Sequence, residues 1–194
     1  MEDGALFGLR TEPWTAWEWA ELDLGDDADW RTVELDDGAL VVSPSPSFAH
    51  DATATALAVV LSRAAPAGLV VSGPAGVELA PHRGRIPDVV VARASPALLR
   101  GGARLTAADV VLAVEVESPT SRGRDRLAKP AQYGQAGIPS FWRVEPEVPR
   151  ITAYALRGGV YVEVGAASGA DALRLEEPFP VVVVPTELAP GWRP

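Results

Sequence analysis

Chemistry in this chain is most legible in the run Val110-Val111-Leu112-Ala113-Val114-Glu115-Val116-Glu117-Ser118-Pro119, an apolar, strand-like stretch that carries two carboxylates two residues apart. Side chains two apart on a strand share a face, so Glu115 and Glu117 point one way while Leu112, Val114 and Val116 point the other. Such a strand is buried on both sides, and a carboxylate there needs a cation, a metal or hydrogen bonds. Asp88 upstream and Lys129 downstream are the partners the sequence offers. Carboxylates converging from neighbouring strand ends make a hard oxygen site for Mg²⁺ or Mn²⁺, an ion that polarises a phosphoryl oxygen and lowers the pKa of bound water. A lysine beside it stabilises the charge of a phosphorane-like transition state or orients the attacking water. Structural ion pairs produce the same pattern, and residue types alone leave both readings open.

The elements that must position these groups follow from local pattern. Thr11 or Thr15 opens a short helix through Trp14, Trp17 and Trp19, whose indoles read as packing residues, and an acidic loop follows from Asp23 to Asp29. Trp30–Leu35 and Ala39–Ser43 flank Asp37-Gly38, a hairpin signal, and the hairpin carries Glu34. Ser43-Pro44-Ser45-Pro46-Ser47 breaks the strand and caps a helix over about 47–64, with Leu57, Val60, Leu61 and Ala64 at helical spacing and His50 on roughly the same face. Strands are expected at 69–72, 76–80 and 86–93, the last interrupted by Asp88, then loop with one helical turn at Pro96–Arg100. After the central strand, a helix over roughly 121–136 places Asp125, Lys129 and Tyr133 at i, i+4 and i+8 on one face, with Gly137 as terminator. Pro130 predicts a kink or a fresh helix start. Tyr133 and Trp142 read as core. Strands at 140–144, 151–156, 160–164 and 181–184 complete the chain, with Gly158-Gly159 as a hairpin turn.

Composition sets the bounds. The 194 residues are 47% apolar, enough for a sizeable core in a single domain spanning 1–194, on which an acidic segment 1–29 packs. No apolar run reaches the roughly 18–20 residues of a membrane helix, and the start lacks a basic signal-peptide region, so a soluble, non-exported, cytoplasmic protein is expected. With no cysteine, thiol catalysis, thiolate zinc sites and disulfides are excluded. The net charge of −9 is concentrated: residues 1–40 hold twelve acids and two arginines, whereas residues 81–130 hold nine bases and five acids. That basic stretch admits a polyanionic ligand, and equally fits a solvated surface.

Ile86-Pro87-Asp88, Val114-Glu115-Val116-Glu117-Ser118-Pro119-Thr120-Ser121, Asp125-Arg126-Leu127-Ala128-Lys129-Pro130-Ala131-Gln132-Tyr133 and Gly137-Ile138-Pro139-Ser140-Phe141-Trp142-Arg143-Val144 together resemble the Uma family of restriction endonucleases, within the PD-(D/E)XK nuclease superfamily. Val33–Leu40, Ser43-Pro44-Ser45-Pro46 and His50 extend the resemblance over nearly the whole chain. It implies an α/β, restriction-endonuclease-like fold: a central mixed β-sheet flanked by helices, with an N-terminal β-hairpin and C-terminal antiparallel strands. It also implies a divalent metal, Mg²⁺ or Mn²⁺, held by Asp88, Glu115 and the backbone carbonyl of Val116, with Glu34 as an auxiliary acid. Glu117 departs from the superfamily pattern, because it occupies the slot of the EXK lysine. In the family a lysine from the following helix substitutes, and Lys129 matches it.

Lys129 is the single lysine against sixteen arginines, which marks a place where a compact ammonium is required and a guanidinium fork does not fit. His50 is an auxiliary site residue or a hydrogen-bonded packing residue. Arg122, Arg124 and Arg126 are candidates for contacts to DNA phosphates. Two functions follow: a Mg²⁺-dependent endonuclease that hydrolyses DNA, with a homodimer expected because double-strand cuts need two sites, or a silent nuclease-fold module for nucleic-acid binding or assembly.

Overall fold

The computed structural model describes residues 10–22, 32–101, 104–118 and 125–188, with only the helical backbone at 125–127. In chain order the elements are α1 (Ala16–Ala20), β1 (Thr32–Asp36), β2 (Ala39–Ser43), α2 (Phe48–Ala64), β3 (Leu69–Ser72), β4 (Val77–Ala80), β5 (Arg83–Arg85), β6 (Val89–Arg93) and α3 (Pro96–Leu99). They continue with β7 (Leu105–Thr106), β8 (Val110–Val116), α4 (Asp125–Gln135), β9 (Ser140–Glu145), β10 (Arg150–Arg157), β11 (Val160–Ser168), β12 (Leu173–Leu175), β13 (Val181–Val183) and α5 (Pro185–Leu188).

Local chemistry sets the boundaries that matter. Asp37 and Gly38 take φ of 46° and 81°, the two positive values that a two-residue type I′ hairpin needs, so β1 and β2 pair in register from Thr32↔Ser43 to Asp36↔Ala39. Ser47 caps α2 by accepting a hydrogen bond from the His50 amide at 3.3 Å. Gly137, at φ 82°, closes α4 in a Schellman motif: its amide donates to Gly134 and the Ile138 amide donates to Tyr133, each at 3.0 Å. That closure fixes Tyr133 and Ile138, both fully buried, against the sheet.

The central sheet has the order β11-β10-β9-β8-β6-β3. Its neighbours are antiparallel except β8 and β9, which run parallel with Glu115 opposite Arg143. A parallel pair needs a long crossover, and α4 is that connection. One face packs on α2: Leu57 and Leu61 meet Val89, Val91, Leu112, Val114 and Val116, each fully buried leucine contributing about 1.5–3 kcal/mol. On the other face lie Tyr133 and Ile138 with Ala113, Phe141 and Val90. The alternation along β8 is therefore the expected one, with Glu115 on the α4 side. A second sheet, β2-β1-β5-β4-β7, carries Glu34 and Arg85, and α1 is pinned to it by Trp19, whose indole N–H donates to the Val33 carbonyl at 2.8 Å.

Several expectations are corrected. α4 runs from Asp125 through Pro130 to Gln135 as one helix and does not start afresh at Pro130, because the Schellman closure and burial of Tyr133 hold its last turns in place. Strands β5, β7 and β12, two or three residues each, have too few side chains for a recognisable period. The third strand begins at Val89 rather than at Ile86, since Pro87 has no N–H for the ladder. Trp17 is 60% exposed, with the Arg104 guanidinium 3.6 Å from its ring centroid, and so is not a packing residue. The acidic loop 23–29 and Trp30 lie outside the described residues.

Candidate active site

At the C-terminal end of β8 the hydrogen-bond ladder to β6 runs out, and side chains take over the freed backbone groups. Asp88, just before β6, accepts the Val116 N–H on Oδ2 at 2.7 Å. The Val116 carbonyl faces His50 Nε2 at 2.8 Å, and the same Nε2 lies 3.3 Å from Asp88 Oδ2. His50 Nδ1 faces Asp51 Oδ1 at 3.3 Å. Both ring nitrogens thus face oxygens, the surroundings of an imidazolium. Burial works against that charge, but the Asp88 hydrogen bond and charge, with Asp51 and the Val116 carbonyl, outweigh it and raise the His50 pKa to about 9.

Glu115 is the centre of the second half. Lys129 donates to its Oε2 at 3.0 Å and Tyr133 donates to its Oε1 at 2.5 Å. Lys129 also lies 3.1 Å from Glu34 Oε1, which accepts the Ile86 amide at 2.9 Å. Burial, together with the nearby Asp88 and Glu34 carboxylates, pushes Glu115 up to about 7 against the pull of Lys129 and Tyr133. For Lys129 burial acts downward, but Glu115 and Glu34 more than offset it and raise its pKa. Burial and the same carboxylates hold the Tyr133 hydroxyl well above its ordinary value, so it stays a donor.

Arg85 supports this arrangement from β5. Its Nη1 is 3.4 Å from Glu34, its Nη2 2.8 Å from Asp36, and its Nε donates to Gln132 at 2.7 Å, tying the hairpin to α4. Burial at Asp36 is outweighed by Arg85 and by Arg83, whose Nε is 3.4 Å away, so its pKa is lowered. Of these groups, Glu34, His50, Asp51, Asp88, Glu115, Val116 and Lys129 line a cavity of about 690 Å³, together with Arg143.

Comparison with known proteins places this geometry. The family model described as "Uma2: Putative restriction endonuclease" matches residues 18–187. The chain belongs to this family. Among solved structures, a putative nuclease belonging to DUF820 from Anabaena variabilis ATCC 29413 superposes with a TM-score of 0.68 at 15% identity, covering 91% of this chain and 97% of that one. At that identity the likeness speaks for the fold. No curated protein matches.

Within the family fold, then, Asp88, Glu115, Lys129, Glu34 and His50, dispersed from residue 34 to residue 129, meet at one cavity. Glu34 is held beside Lys129 and Arg85. Glu117 shares the face of Glu115 but turns to Arg143, whose Nε is 3.5 Å from its Oε1. Arg122 and Arg124 lie outside the described residues, and Arg126 enters only through its backbone place in α4. Tyr133 is core, fully buried as expected, but its hydroxyl also serves the site; the i, i+4 spacing from Lys129 was the available signal. Arg85 carried no signal, since nothing in Arg83-Gly84-Arg85 announces a buried arginine.

Among the described residues no three His, Cys, Asp or Glu side chains already form a metal-binding cluster. The donor chemistry nevertheless fits a hard divalent ion, because two carboxylates and a backbone carbonyl supply oxygen only.

Proposed function

We propose that this chain is a divalent-metal-dependent endonuclease that hydrolyses phosphodiester bonds of DNA. The observation that carries the reading is the convergence of Asp88, Glu115 and the Val116 carbonyl with Lys129, 3.0 Å from Glu115, on one cavity. Asp88, Glu115 and the Val116 carbonyl would hold Mg²⁺ or Mn²⁺, which, when bound, polarises the phosphoryl group and lowers the pKa of the attacking water. The chain's own groups do the rest. The Val116 N–H orients Asp88, and Tyr133 and Lys129 fix the two oxygens of Glu115. Lys129 keeps its proton at neutral pH and so presents a fixed cation to the charge that develops on the phosphoryl oxygens. His50 Nε2 lies within reach of both Asp88 and the Val116 carbonyl and so positions the two ligands. Arg122, Arg124 and Arg126, in the segment that follows β8, are assigned to the DNA backbone. A homodimer is the assembly that double-strand scission calls for, and the cytoplasm is the compartment we assign.

Glu117, an acid in the slot of the superfamily lysine, favours a second reading, a nuclease-fold module that binds nucleic acid without cutting it. Incubating supercoiled plasmid and single-stranded DNA with Mg²⁺ or Mn²⁺ separates the two. Nicking by wild type that is lost in both Asp88→Ala and Lys129→Ala supports the enzyme. Cleavage that survives EDTA, or that both variants retain, sinks it, and binding without cleavage by wild type selects the module.

A further inference from the structure

The pairing of Glu117 with Arg143 bears on substrate binding. Arg143 stands on β9 directly opposite Glu115 in parallel register, about 4.8 Å across the sheet, so its side chain leaves the same face as Glu115 and Glu117. Its Nε lies 3.5 Å from Glu117 and 3.8 Å from Glu145, and its Cζ sits 5.8 Å from the Tyr154 ring centroid. That Nε is buried and makes no hydrogen bond. The side chain as a whole is 26% exposed and forms part of the cavity wall beside Glu115 and Lys129.

We propose that Arg143 is a substrate-phosphate-binding residue aimed by Glu117, in addition to the cation that Lys129 supplies. The inference rests on the nuclease reading and deepens it by naming how the DNA backbone is held. The Glu117 side chain, only 8% exposed, is too buried to stand without a positive partner. Arg143 meets that need from the next strand, in line with the site. A guanidinium is the suitable group there, because it stays charged beside carboxylates and its fork matches a phosphate with two parallel hydrogen bonds. Glu117 is then a positioning residue for Arg143 and has no part in holding metal. The competing account is a purely structural ion pair between β8 and β9.

Salt-dependent binding separates the two. Binding of a fluorescent DNA duplex is measured in EDTA across a salt series, and cleavage of the same duplex is measured separately in Mn²⁺. Arg143→Ala is expected to lose about tenfold in affinity and to lower the slope of log K against log salt by about 1, the mark of one lost phosphate contact. Arg143→Lys restores the slope but only part of the affinity, since it keeps the charge without the fork. To guard against misfolding, Glu117→Leu is combined with Arg143→Leu, an apolar replacement of both members of the pair. This double variant is expected to fold and to show the same loss of slope. Wild-type slope and affinity in either Arg143→Ala or the double variant overturn the inference while leaving the nuclease reading intact if Mn²⁺ cleavage persists. A wild type that neither binds nor cleaves overturns both.

Discussion

Replacing Lys129 by methionine keeps the unbranched apolar stem and removes the ammonium that joins Glu115 to Glu34. Each contact, at 3.0 and 3.1 Å, corresponds to about 5 kcal/mol of attraction at an effective dielectric of about 20. Desolvating the charges offsets much of that, and breaking a buried pair from one side costs about 3–5 kcal/mol. Glu115 keeps Tyr133, Glu34 keeps Arg85 and the Ile86 amide, and the Lys129 and Glu115 side chains are 14% and 17% exposed. These features place the loss near the lower end, about 3 kcal/mol.

The loss depends on pH. Glu115 has its pKa raised from 4.5 to about 7, so its neutral form contributes stability that is fully present below the ordinary value and lost as pH rises through about 7. Lys129 opposes that rise, and without it Glu115 moves further up. The deficit of Lys129→Met is therefore smaller where Glu115 is protonated in both proteins, and widens above neutrality. Urea unfolding in EDTA near pH 5 and near pH 8.5 reads this directly: a difference of about 3 kcal/mol at the alkaline end and a smaller one at the acid end, where the contact to Glu34 is still lost. Equal differences at the two pH values, or none at the alkaline one, refute the contact between Lys129 and Glu115.

Tyr133→Phe removes one donor from Glu115 while leaving the buried ring against Phe141, 6.0 Å between centroids; calorimetry should give about 10–100-fold weaker Mn²⁺ binding, with thermal unfolding little changed. Gly84→Ala drives a methyl group into the Trp19 indole and should cost about 1–3 kcal/mol, seen as a Tm lowered by about 2–4 °C per kcal/mol. The control Gly73→Ala, which meets nothing within 4 Å, should leave Tm unchanged.

Much of the site was legible because it sits on regular elements. The two-residue period of β8 separates Glu115 from its apolar neighbours, and turn chemistry at Asp37-Gly38 and Gly137 bounds the hairpin that carries Glu34 and the helix that carries Lys129. What escaped depends on tertiary packing. Continuity of α4 through Pro130 is a packing outcome that overrides a local rule, and the short strands of the second sheet exist through their neighbours. Arg85 becomes a site support only because folding brings Glu34, Asp36 and Gln132 around it. The pairing of Glu117 with Arg143 was hidden for the same reason, since Arg143 belongs to a strand that only the parallel pairing of β8 and β9 brings alongside.

The most direct test of the site is a calorimetric titration of the metal-free protein with Mn²⁺, repeated on Glu115→Ala. The account predicts saturable binding to wild type that is abolished or strongly weakened in the variant. Absence of Mn²⁺ binding, or binding that Glu115→Ala leaves unchanged, contradicts it.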